Sequence, residues 1–309
     1  MRAIGQDALG GPEVLKIVEI DRPQPGPSEV LVRVHAAGVN PTDWWHRSTG
    51  GLFAEIAPLG WDVSGVVEEV GLGVTVYRPG DEVYGMPRLP QPAGAYAEFM
   101  TAPARHLARK PASLSHVEAA ALPVAALTAW QTLVDTADVR PGQRVLVHAA
   151  GGGVGHLAVQ IAKARGAYVI GTASAAKHDF VRGLGADEVI DYREADFVAH
   201  ARDIDVVLDT IGGEYGPRSL KTLRPGGLLV SIASPEETYL AELAEQQGLR
   251  ACFTIVEPDN GGLKEIASLI ESGSLRVEID TVLKLEEASK AHELGELGRT
   301  RGKIVLTVG

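Results

Sequence analysis

The residues best suited to chemistry lie mid-chain, in the run Ala149-Ala150-Gly151-Gly152-Gly153-Val154-Gly155. This run leaves the strand-like segment VLVH and enters HLAVQIAKARG, whose apolar spacing is helical. A strand-to-helix turn gathers backbone N–H groups and the positive end of a helix dipole at one point, which suits a pyrophosphate. Gly152 and Gly153 let the backbone approach phosphate with no Cβ between, and Gly155 lets the helix pack close to the sheet. An isolated glycine match would mean little. Five further strand-like segments behind this one make it the opening of a dinucleotide-binding sheet.

The next strand selects the dinucleotide. An NAD site places Asp or Glu about 20 residues after the loop, where it holds the ribose 2′-hydroxyl. Here VIGT ends in Gly171-Thr172-Ala173-Ser174, with no acid until Asp179. Lys177 follows within reach of a 2′-phosphate, with the Ser174 hydroxyl beside it. Loss of the carboxylate removes repulsion and the ammonium adds attraction, so the expected cofactor is NADP(H). The alternative is that Lys177 is a solvated lysine at a helix start.

The elements that must position these residues follow from periodicity. Strands are expected at 145–149, 168–172, 188–191, 205–210, 228–233 and 251–256, with helical stretches between most of them. That alternation predicts an α/β Rossmann fold, a doubly wound parallel sheet with right-handed crossovers. The first hundred residues are β-rich instead. Val30–Val34, Val63–Val70 and Asp81–Tyr84 are separated by turn signals such as Pro79-Gly80, which suggests an antiparallel barrel-like sheet. Ser115-His116-Val117-Glu118 has capping-box spacing ahead of an Ala-rich helix. Helices are expected over 262–272 and 284–295, and a closing strand over 303–308. This tail is read as rejoining the first domain. The expected organisation is a β-rich domain at 1–123 and 257–309, interrupted by the nucleotide domain at 124–256.

Composition sets the exclusions. Among 309 residues, 29 Lys+Arg stand against 40 Asp+Glu, a formal net charge of −11. So acidic a chain has no general attraction for nucleic acid or anionic membranes, and an anionic ligand must be captured locally. The single cysteine, Cys252, excludes an intrachain disulfide framework and any zinc site of several thiolates. The opening MRAIGQDALGGPEVLKI lacks the apolar core of a signal peptide, and no stretch approaches a membrane helix. A cytoplasmic setting is the expectation.

Many short motifs together carry a family resemblance over essentially the whole length. They include GGPEVLKI, HAAGVNPTDWWHRSTGGLF, LGWDVSGVVEEVGLGV, RPGDEVYG, GAYAEF, LTAW, VHAAGGGVG, VIGTAS, VIDYRE, VLDTIGG and RGKIVL. The chain resembles the zinc-independent quinone oxidoreductase branch of the medium-chain dehydrogenases/reductases, the branch that includes zeta-crystallin. The resemblance implies a GroES-like catalytic domain around the Rossmann domain, and a homodimer, with the edge at 251–256 as its expected interface. It places the family's AxxGxxG loop on Ala149, Gly152 and Gly155, and Thr128 near the nicotinamide carboxamide. Ser174, Lys177 and Tyr192 match residues that hold the 2′-phosphate end. Thr210, Ile211, Ala233, Phe253 and Thr254 would flank the ribose and nicotinamide, completing a cofactor set with Gly151, Gly153, Val154, Thr172 and Ala173.

The departures also inform. Zinc-dependent relatives carry cysteine where this chain has Asn40, and GHE where it has GWD, so Trp61 replaces a histidine. Asp43, His46 and Asp62 lack the soft ligands a zinc site uses, so no metal is expected. Without a Lewis acid to stabilise a developing alkoxide, the acceptor must disperse its own charge. A quinone does so through its aromatic product, and an enone through its enolate. The candidate catalytic set is Asn40, Asp43 and Trp45. Asn40 either donates an amide hydrogen bond to a substrate oxygen or only holds the turn before Pro41. Asp43 organises this loop, and Trp45 walls the pocket or donates its indole N–H. Phe53 lies near where related enoyl reductases place a tyrosine proton donor, and it has no proton to give. The leading expectation is an NADPH:quinone reductase. The alternatives are a C=C reductase of alkenals, enones or an enoyl intermediate, and an NADPH-binding structural or sensor protein.

Overall fold

The computed structural model describes residues 1–235 and 239–309, with Phe53 described in its backbone only. The chain forms two compact units. One comprises Met1–Leu127, Val256–Glu271 and Val277–Gly309, and the other comprises Thr128–Ile255 and Ser272–Arg276.

The second unit is built on a six-stranded, all-parallel sheet. In spatial order its strands are Glu188–Asp191, Tyr168–Ala173, Arg144–Val147, Ile204–Asp209, Leu223–Ser231 and Arg250–Phe253. All six expected strands are present. They were readable because a parallel strand covered on both faces is a continuous apolar run. Leu146, Ile170, Val207 and Leu229 are fully buried in its core. The order reverses between Arg144–Val147 and Ile204–Asp209, and a doubly wound sheet opens a crevice at the carboxyl ends of such strands.

The first unit carries a seven-stranded sheet, with Glu29–Val39 pairing antiparallel to Val63–Val70, Phe99–Pro103 and Lys303–Thr307. The closing strand thus returns to the amino-terminal unit, beside Val39. One feature differs from the expected antiparallel sheet: Ile279–Lys284 pairs parallel with Lys303–Thr307. A nine-residue helix, Pro41–Thr49, follows the long strand directly. Asn40 is its N-cap, Pro41 occupies the first turn, and the Asp43 carboxylate accepts the Asn40 N–H at 2.7 Å. The Ser115 hydroxyl accepts from Glu118 N–H, as the capping spacing predicts, and opens the helix His116–Ala120. No helix among the described residues is long and apolar enough to cross a membrane.

Candidate functional site

The glycine loop spans the turn between the Arg144–Val147 strand and the helix Gly155–Ala164. Gly152 N–H donates to Ala149 O at 2.8 Å, and Ala150 N–H donates to Thr172 O at 2.9 Å. A Cβ on Gly155 would stand 2.3 Å from Ala149 O, an impossible contact, so only glycine lets the helix start here. A Cβ on Gly152 would meet only Ala149 O, at 3.2 Å, so this glycine serves open space rather than packing. Such a cradle at a helix N-terminus fits a pyrophosphate.

Around it the other sequence-chosen positions fall at carboxyl ends of neighbouring strands. Thr172 and Ala173 are buried, with Ser174 half-buried just beyond them. A Cβ on Gly151 would come within 3.0 Å of Lys177 Cδ, so the Lys177 stem lies along the loop itself. Tyr192 is exposed at the end of the edge strand. Thr210 Oγ1 donates to His148 O at 3.0 Å, and Ile211 N–H donates to Asp209 at 2.9 Å. Ala233 is exposed beyond Ser231, and Thr254 N–H donates to Ser231 O just after Phe253. From Tyr192 to Phe253 the sheet covers five inter-strand spacings, roughly 24 Å, so one extended ligand would have to lie across it. Thr128 is buried, and its carbonyl accepts from Thr132 Oγ1 at 2.7 Å. There the helix Pro123–Trp130 gives way to the π-helical turn Gln131–Thr136.

Two further groups, Asp191 and His148, support the loop and carry no motif of their own in the sequence. Asp191 accepts Ala175 N–H and Arg193 N–H, each at 2.9 Å, and so ties the Ser174 turn to the Tyr192 turn. His148 is wholly buried, and burial pushes its imidazole down to about 3.

In the first unit Asn40, Asp43 and Asp62 meet a residue far away in sequence. Lys303, at 2 % exposure, donates to Val39 O at 3.0 Å and to Asn40 Oδ1, and lies 3.4 Å from Asp62 Oδ2. Asn40 Nδ2 donates to Asp62 Oδ2 at 2.8 Å, and Val124 N–H donates to Asp62 Oδ1 at 2.6 Å. Burial pushes the Asp62 carboxyl up, and the Lys303 ammonium opposes the rise. Asp43 accepts Asn40 N–H and, at 3.0 Å, Gly60 N–H. Burial drives its carboxyl up to about 7, with the nearby Asp62 charge adding to the effect. Asp43 thus organises its loop from a site closed to solvent. Trp45 stands on the Pro41–Thr49 helix, edge-on to His46, and is partly exposed. Trp61 is fully buried, donates Nε1–H to Gln91 O at 2.8 Å and packs on His46. The Phe53 side chain lies outside the described residues. Among the described residues, no three His, Cys, Asp or Glu side chains are grouped to hold a metal.

Residues 26–112 match the alcohol dehydrogenase GroES-like domain, and residues 184–306 match the zinc-binding dehydrogenase family. A mitochondrial NAD(P)H oxidoreductase of Danio rerio is 33 % identical, over 91 % of this chain and 84 % of its own. The chain belongs to the medium-chain dehydrogenase/reductase family. It is an oxidoreductase. Among solved structures, the quinone oxidoreductase of Coxiella burnetii superposes with a TM-score of 0.96 at 38 % identity, covering 100 % of this chain and 99 % of that one. The Escherichia coli quinone oxidoreductase complexed with NADPH gives 0.88 at 31 % identity, with both chains covered completely. A spectinabilin polyketide synthase protein of Streptomyces orinoci is 39 % identical over 91 % of this chain, which is 13 % of that protein. The GroES-like unit and the parallel-sheet unit are those of the family's α/β fold.

Proposed function

We propose that this oxidoreductase uses NADPH to reduce a quinone, without a metal. The observation that carries the reading is the commitment of Asn40 and Trp61. At two positions where zinc-dependent relatives hold ligands, both side chains are engaged in hydrogen bonds inside the protein. The cofactor choice rests on the strand end Thr172-Ala173-Ser174, which offers no carboxylate, and on Lys177 beside Gly151. The NADPH complex of the Escherichia coli relative supports it.

When bound, NADPH supplies a hydride. Gly151–Gly155 hold the pyrophosphate, and Ser174, Lys177 and Tyr192 hold the 2′-phosphate. Thr128, Thr210, Ile211, Ala233, Phe253 and Thr254 line the remainder. Asn40 gives one amide hydrogen to Asp62, and its second is the donor assigned to a substrate oxygen as charge develops there. Asp43 keeps that loop in place, and Trp45 walls the substrate. A cytoplasmic homodimer completes this reading. Reduction of the C=C bond of an enone needs the same apparatus, and the match to a segment of a polyketide synthase keeps it as the second reading.

The test is NADPH oxidation against matched quinone and enone panels, in the presence and absence of a chelator, with NADH alongside. Faster turnover with quinones, indifferent to chelation, is expected. Preference for enones selects the second reading, and equal use of NADH removes the assignment of Ser174 and Lys177.

A further inference from the structure

We propose that His148 is a positioning residue for the phosphate loop, acting through the Thr172 hydroxyl on the backbone of Ala149; this rests on the cofactor reading above. Ala149 is the one residue of the loop with a Cβ and a positive φ, +46°. That conformation is costly for a side-chain-bearing residue and persists only where its surroundings hold it. The rest of the loop hangs on it. Its carbonyl accepts Gly152 N–H and defines the space into which only Gly155 fits.

The hold on Ala149 comes from the next strand. Its N–H donates to Thr172 Oγ1 at 3.2 Å. Thr172 Oγ1 also lies 3.1 Å from His148 Nδ1, and His148 Nε2 lies 2.8 Å from Ser219 Oγ. The neutral ring bridges the two hydroxyls in either tautomer: with its proton on Nε2 it accepts Thr172 O–H at Nδ1 and donates to Ser219 Oγ, and with its proton on Nδ1 it donates to Thr172 Oγ1 and accepts Ser219 O–H. In both, Thr172 Oγ1 keeps a lone pair for the Ala149 N–H, so the relay Ala149–Thr172–His148–Ser219 holds the hydroxyl on which that bond depends.

The imidazole cannot swing away from this task. It is buried edge-on to the rings of Phe197 and Tyr215, at centroid distances of 4.7 and 5.1 Å. Its backbone carbonyl accepts from Thr210 Oγ1, so one residue ties the loop strand to both of its neighbours in the sheet. Burial keeps the ring neutral, as the relay requires. A hydrocarbon side chain here would leave the Thr172 hydroxyl without its ring partner and free it to rotate off Ala149.

The test compares binding of NADPH with binding of adenosine 2′-monophosphate, which carries the 2′-phosphate but no pyrophosphate to engage the loop. His148→Leu should weaken NADPH about tenfold and leave adenosine 2′-monophosphate unchanged. His148→Asn, whose amide can replace Nδ1 as acceptor or donor, should restore NADPH binding to within about threefold of the unaltered protein. If His148→Leu does not fold, Thr172→Val breaks the same relay and should give the same split, whereas Thr172→Ser should not. The inference is overturned if these variants bind NADPH normally, or if both ligands weaken in proportion. If the unaltered protein binds adenosine 2′-monophosphate but not NADPH, or binds neither, the cofactor reading falls and takes this inference with it.

Discussion

The Lys303 ammonium lies 3.4 Å from the Asp62 carboxylate, with both side chains closed to solvent. The ammonium also has Val39 O and Asn40 Oδ1 as acceptors, so its donors are satisfied. Taking either charge away alone would strand the other in a low-dielectric interior.

Lys303→Met should therefore destabilise the fold by about 3–5 kcal/mol. Adding Asp62→Asn should recover part of that loss, because the carboxylate left uncompensated is then gone. Urea unfolding midpoints of the two single variants and the double variant measure the coupling. Strictly additive losses would show that the pair does not act as one unit.

Asp43 predicts a pH dependence of the opposite sign to most carboxylates. Folded, its carboxyl holds a proton up to about pH 7, where the unfolded chain releases it near pH 4. The folded state therefore binds the extra proton in that window. Its contribution, on the order of 4 kcal/mol, is present below the unfolded value and lost as pH rises toward 7. Thermal midpoints from pH 4 to 7 should fall more steeply with rising pH in the unaltered protein than in Asp43→Asn. Parallel profiles would place the titration elsewhere.

The sheet of the second unit was legible because its strands are short apolar runs punctuated by Gly and charge, and the glycine loop was legible because its frame is local. The Pro41–Thr49 helix is harder to see in the sequence, although Asn40, Pro41 and Asp43 carry its start signal. Two tryptophans and three β-branched or hydroxyl residues weaken the helical pattern that follows. The parallel strand Ile279–Lys284 leaves little sequence signal because half its residues face solvent and its partner lies beyond another helix. The Asn40–Asp62–Lys303 cluster joins residues 22 and 263 positions from Asn40, and no short-range pattern announces such a meeting. In sequence His148 is only one residue of the strand expected at 145–149. Its role depends on Ser219, 71 residues on, which only the fold brings near.

Gly152 and Gly155 should respond differently to the same substitution. Gly155→Ala forces a Cβ against the Ala149 carbonyl, so both the thermal midpoint and NADPH affinity should drop. Gly152→Ala meets only a 3.2 Å contact that a small shift relieves, so stability should change by less than about 1 kcal/mol. Its methyl group would instead occupy space needed by phosphate, and NADPH affinity should fall about tenfold or more. Calorimetric melting and NADPH titration of both variants read the two effects separately. Equal loss of stability in both would remove the distinction between a packing glycine and a binding glycine.

Lys177 supplies the last prediction, because its stem and its charge can be separated. The stem packs on Gly151, so a substitution that shortens it would disturb the loop as well as the electrostatics. Lys177→Gln keeps much of the stem and removes only the charge, and a charge-assisted contact with a phosphate is worth about 1.5–3 kcal/mol. The NADPH-to-NADH ratio of kcat/KM should thus fall by about tenfold or more, almost wholly through NADPH. Salt should weaken NADPH use in the unaltered protein more than in the variant, since the attraction it screens has been removed. An unchanged ratio would mean that Lys177 contributes its hydrocarbon stem alone.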